Sequence, residues 1–140
     1  MTSVHDIGIV PAPFKAGEDL SSYQYHFVEA GGSANENTVY FADSGSATYS
    51  PLGVLQDAPS TGDAAAVVML GPTKVVASAP GTQIKFGHWV TCDGSAHAAY
   101  TAEASLACGF ALGTADSSAS SIVEIFMFPN MWLTRMLTTH

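Results

Sequence analysis

An all-β fold, a compact barrel or sandwich of short antiparallel strands, is what this sequence predicts, and three observations carry the prediction. Its apolar runs are short, too short for stable helices. They are rich in valine, isoleucine, tyrosine and phenylalanine, the residues that suit a pleated surface. Clusters of Pro, Gly, Asn, Asp and Ser separate them at regular intervals. The stretch 51–77 displays all three features. Pro51-Leu52-Gly53-Val54-Leu55-Gln56 gives way to the turn Ala58-Pro59-Ser60-Thr61-Gly62-Asp63, and a second run, Ala64-Ala65-Ala66-Val67-Val68-Met69-Leu70, ends at Gly71-Pro72.

Residues 1–22 read as an extended arm. Pro11 and Pro13 bracket Ala12, and Gly8 and Gly17 break any period, while Ile7, Ile9, Val10 and Phe14 are isolated apolar anchors. Such a segment cannot bury itself and is expected to lie along another surface, with Ile7, Ile9, Val10, Pro13 and Phe14 as contacts. The β-domain is expected over 23–128. Its first strand, 23–30, would set Tyr23, Tyr25 and Phe27 on one face, and it pairs as a hairpin with 38–42 across the polar loop 31–37. Further strands are expected near 52–56, 64–70, 73–78, 88–92, 97–100, 107–112 and 122–128. Gly71-Pro72 reads as a turn, and Asp93-Gly94 as the hairpin turn between 89–92 and 97–100. Residues 102–106 could form one helical turn at most. The tail 129–140 carries Met131, Trp132, Leu133 and Leu137, apolar bulk that should make a contact surface.

Composition narrows the function. The 140 residues suit one domain, large enough for its own core. Twelve acids face only Lys15, Lys74, Lys85 and Arg135, a net charge of −8 that disfavours nucleic acid and anionic membranes. Only 11% of residues are charged while 47% are apolar, so part of the surface is expected to be covered by a partner or by copies of the chain itself. The N-terminus, Met1-Thr2-Ser3-Val4-His5-Asp6, has neither the basic nor the apolar region of a secretory signal, and no apolar run reaches the ~20 residues of a membrane span. A soluble protein made in the cytosol is expected.

The residues offer little chemistry. His88 and His97 flank the Asp93-Gly94 turn and could meet across a hairpin, but two imidazoles and one carboxylate fall short of a supported metal site. No serine lies in a G-x-S-x-G elbow, and Gly31-Gly32 matches no phosphate-binding loop. Asp57 and Asp63 are expected to shape turns. Cys92 and Cys108 read as small buried hydrophobes, with a disulfide between neighbouring strands as the alternative. Phe86, Trp89 and Tyr100 are expected to fill the core, since no basic neighbours point to stacking on bases or sugars. No enzyme, cofactor or metal is expected.

Taken in order, the phrases from Tyr23 to Phe128 resemble those of the small head-decoration, or cement, proteins of tailed bacteriophages. The resemblance rests on Pro51-Leu52-Gly53-Val54-Leu55-Gln56, Ala58-Pro59, Gly62-Asp63-Ala64-Ala65, Lys74-Val75-Val76-Ala77, Thr91-Cys92-Asp93-Gly94, Gly109-Phe110-Ala111-Leu112 and Val123-Glu124-Ile125, with Phe14-Lys15-Ala16-Gly17-Glu18-Asp19-Leu20 as the entry to the domain. Two features depart from that pattern: the bulky stretch Ile84-Lys85-Phe86-Gly87-His88-Trp89, and the tail beyond Pro129. The resemblance implies a β-barrel or sandwich on the outer surface of an icosahedral capsid, bridging capsomers. It implies the major capsid protein and further copies of the chain, as a homotrimer, as partners. A head-fibre base, or a tail-associated carbohydrate-binding β-module, is the alternative.

Overall fold

Phe27-Val28 and Val54-Leu55 have no polar face, so strands built on them need burial on both sides. The computed structural model describes residues 12–32, 34–42, 51–78, 82–116 and 121–128. It supplies that double burial by joining two β-units along these strands. In the first unit, β1 (Ala12–Ala16), β2 (Phe27–Ala30), β3 (Thr38–Phe41), β4 (Gly53–Leu55) and β5 (Ala64–Val68) close a barrel in the order β1-β3-β2-β4-β5. In the second, β6 (Gly71–Val76), β7 (Trp89–Cys92), β8 (Ala98–Tyr100), β9 (Gly109–Ala111) and β10 (Ile122–Met127) form a sheet in the order β6-β10-β9-β7-β8. The all-β expectation holds.

Alternation along β2 and β4 sorts their side chains between two cores. Val28 and Leu55 join Ala16, Leu20, Val39 and Val67 in the core of the barrel. Phe27 and Val54, on the opposite faces, pack with Val75, Val90, Val123, Ile125 and Met127 of the second sheet. Hydrogen bonds stitch the seam: Phe27 N–H donates to the Ala96 carbonyl at 3.0 Å and Val76 N–H to that of Tyr25 at 2.9 Å. The Gln56 side-chain amide donates to the Val54 carbonyl and to Thr73 Oγ1, at 2.9 and 2.8 Å. The edge strands of the second sheet also meet beyond their ends, where Ala77 bridges Ala98 and Ser78 N–H donates to the Ala98 carbonyl at 2.7 Å.

Three local expectations change. Residues 12–16, within the stretch read as an arm, form β1 and close the barrel. They pair antiparallel with β5 from Ala12↔Val67 to Lys15↔Ala64 and parallel with β3 at Lys15↔Thr38 and Ala16↔Val39. Pro13 sits where β1 pairs on one side only, so its missing N–H can face away from the ladder. Leu20 is fully buried, so the domain takes in residues assigned to the arm.

Residues 23–26 are a turn rather than the start of a strand, with Tyr25 at φ 63, so Tyr23, Tyr25 and Phe27 do not share a strand face. Tertiary bonds reward that turn, since Tyr25 N–H donates to the Leu55 carbonyl at 2.8 Å while its own carbonyl serves Val76. Gly71-Pro72 opens β6 instead of forming a turn. Proline is tolerated there because β6 is an edge strand of its sheet. The 38–41, 89–92 and 98–100 pairings match the expected hairpins. In the second of these the positive φ falls on Ala96 (φ 60). Residues 104–106 make a single 3-10 turn.

Candidate interaction surface

Strand β10 alternates cleanly. Val123, Ile125 and Met127 face the core, so Ile122, Glu124 and Phe126 must face outward. Register then carries the outward positions across the sheet. Phe126 pairs with Phe110 of β9 and Pro72 of β6, and Phe110 pairs with Trp89 of β7. Trp89, Phe110, Phe126 and Pro72 therefore form one row across four adjacent strands.

The rings of this row touch. Phe110 and Phe126 stack with centroids 5.4 Å apart and planes 13° from parallel. Phe128, just past β10, lies 6.4 Å from Phe110 and meets Trp89 edge-on at 6.3 Å. Offset stacks and edge contacts of this kind are favourable beyond the area they bury. Close approach of the strands helps, since a Cβ on Gly109 would lie 2.7 Å from the Phe126 carbonyl oxygen.

Phe86, Trp89 and Tyr100, expected in the core, are at the surface, at 73%, 37% and 36% exposure. The core side of β7 and β8 is filled by Val90 and Ala98, and the two-residue period sends Trp89 the other way. Phe86 sits on a turn that depends on Gly87 at φ 86. Bonds hold this turn: Gly87 N–H to the Ala111 carbonyl at 2.9 Å, Phe86 N–H to Thr114 Oγ1 at 3.3 Å and Lys85 N–H to His88 Nδ1 at 3.1 Å.

The polar candidates have structural employment. His88 stacks on Tyr100 at 4.7 Å, whereas His97 lies beside His26 with ring centroids 5.0 Å apart, so each histidine has its own neighbour. Burial lowers the His26 pKa below its ordinary 6.5, a charge on His97 pushes the same way, and its bond to the Gln24 carbonyl opposes both. Asp93 accepts Ser95 N–H at 2.8 Å and His97 N–H at 2.9 Å, tying its loop. Burial alone would raise its pKa, but hydrogen bonds, led by that with Ser78, hold the carboxyl below the ordinary value.

Asp57 accepts Ala66 N–H at 3.2 Å, and Asp63 N–H donates to the Ser60 carbonyl, both as turn formers. Cys92 and Cys108 are free thiols. Burial pushes Cys108 up to about 12 and raises Cys92 too, so neither is an activated thiolate. Among the described residues no three of His, Cys, Asp or Glu gather to hold a metal ion.

Of the contact residues the sequence offered, Ile7, Ile9, Val10, Met131, Trp132, Leu133 and Leu137 lie outside the described residues. Pro13 is in β1, and Phe14 packs against the barrel core instead of projecting as an anchor. The aromatic row is what sequence reasoning missed. Its trace in the sequence is Phe126 and Phe128 at alternate positions of a strand whose other face is already apolar.

The two-unit β fold has a solved counterpart. The chain is similar to the crystal structure of the head fiber gp8.5 N base in bacteriophage phi29, with a TM-score of 0.62 over 85% of this chain and 93% of that one, at 21% identity. A scan of family models and a search of curated proteins each return no match.

Proposed function

We propose that this chain is a structural protein of a tailed-phage virion, a β-module seated on the outer surface of the head. The observation that carries the reading is the fold shared with a phage head-fibre base across nearly all of both chains. An inventory of histidines, acids and thiols already committed to loops and core supports a role without catalysis or cofactor. The low charge and the exposed aromatic row support a function carried by surface contact. The major capsid protein is the partner this reading requires, with further copies of the chain completing a homotrimer. The acidic balance argues against nucleic acid or an anionic membrane as a partner.

Within this reading, a head-fibre base and a capsomer-bridging cement protein differ in what they do for the shell. The phi29 likeness favours the fibre base, and the ordered phrases of the sequence favour cement. Purified virions would be probed by mass spectrometry and by electron microscopy with a labelled antibody against the chain. The protein is expected among the virion proteins with label on the head exterior, and its absence from purified virions overturns the proposal. Heads lacking the protein would then be heated with and without added chain. A raised rupture temperature assigns cement, and binding without a shift assigns the fibre base.

A further inference from the structure

We propose that the outward face of the second sheet, centred on the row Trp89, Phe110, Phe126 and Phe128, is the surface through which two copies of this chain meet. The inference stands on the face itself and holds whether or not the chain is a virion protein. An apolar face of touching rings marks an interaction site. The near-parallel Phe110 and Phe126 rings make it flat, and a flat sheet face is met well by another sheet face.

Charge selects the occupant. Residues 12–70 carry a net −6, seven acids against Lys15, while 71–128 carry −2, four acids against Lys74 and Lys85. Two copies of an acidic chain repel least through the second unit. The strands of that face carry one cation and one anion, Lys74 and Glu124, opposite each other in register. About a two-fold axis, Lys74 of each copy meets Glu124 of the other, so the face complements itself.

Size sets the strength. Five strands about 4.8 Å apart and six residues at about 3.3 Å each span roughly 19 by 20 Å, or about 400 Å² per copy. That is below the ~800 Å² per partner of a standard stable interface, so association should depend on concentration.

Sedimentation of the full chain between about 5 and 200 µM, a range suited to a small interface, tests this. The wild type is expected to rise above monomer mass with concentration. Trp89→Glu and Phe126→Glu should remain monomeric with an unchanged circular-dichroism spectrum. Phe86→Ser, which alters an exposed aromatic outside the row, should associate as the wild type does. Lys74→Glu should weaken association about tenfold at low salt, and adding Glu124→Lys should restore it. This pair keeps the test decisive if the aromatic variants misfold. A wild type that stays monomeric throughout overturns the proposal, as does a folded Phe126→Glu that associates normally. Association of 1–128 but not of the full chain also overturns it, because the C-terminal segment would then be the occupant.

Discussion

The barrel and the second sheet are built from strands of similar composition, yet they solve the problem of the exposed edge differently. The barrel closes on itself through β1, which pairs with β5 on one side and β3 on the other. Closure removes edges altogether. The second sheet keeps β6 and β8 as edges, guards one with Pro72, and brings the two together only at the Ala77–Ala98 bridge. One side of it is sealed by Phe27 and Val54 of the barrel, and the other shows a row of aromatic rings to solvent. The barrel satisfies itself, whereas the second sheet is finished on one face only. Function is therefore sought on the second sheet.

The largest effects should come from the residues that divide the two units. Phe27→Ala empties the shared core and Leu55→Ala the barrel core. Expected losses are about 3–5 and 2–5 kcal/mol, read from urea unfolding. Because β2 and β4 supply both cores, both variants should keep a single transition seen alike by circular dichroism and Trp89 fluorescence in a Trp132→Phe background. Two separate transitions would mean that the units are independent, and the comparison would have to be redrawn.

Gly53→Ala sharpens the same boundary. A Cβ there would clash with the Val68 carbonyl oxygen and lie 2.6 Å from Val67 Cγ1, both in the neighbouring strand. Overpacking of this sort costs about 1–3 kcal/mol, measurable as a lowered melting temperature. An unchanged melting temperature would show that β4 and β5 can move apart freely.

The smallest effect is expected at the junction of the barrel with the β7–β8 loop, where His26 and His97 meet. The folded state lowers the His26 pKa, so below pH 6.5 the unfolded chain binds more protons. The stabilisation from neutral His26 is full above pH 6.5 and is lost as pH falls through that value toward the lower folded pKa. The slope should stay well under the ~1.4 kcal/mol per pH unit of a whole proton, because the ring is only half-buried. His26→Gln should flatten the melting temperature between pH 7 and pH 5. A wild-type profile already flat over that range contradicts the assignment. Asp93 acts in a separate and lower window, stabilising above its ordinary 3.8 and losing that contribution as pH falls.

Legibility in the sequence followed locality. The hairpin of 27–30 with 38–41 and that of 89–92 with 98–100 could be read, because turn residues and alternating side chains lie within a few positions of each other. The turn at 23–26 could not, because its aromatic and polar residues also suit a strand. What decides it is Tyr25 bonding to Leu55 and Val76, far along the chain. The candidate site was hidden in the same way. Trp89, Phe110 and Phe126 come from three separate strands, and only the register of β7, β9 and β10 brings them into one row.

By itself the sequence determined that the chain is all-β, where most strands lie, and that it has few charges to cover its surface. These follow from local propensity, side-chain period and composition, which need no knowledge of partners. Tertiary structure alone decided that Ala12–Ala16 closes a barrel, that β2 and β4 serve two cores, and that the aromatics of the second sheet face out. A side chain's neighbours across a sheet are set by pairing between distant segments, and a strand with two apolar faces does not say which of them will be covered.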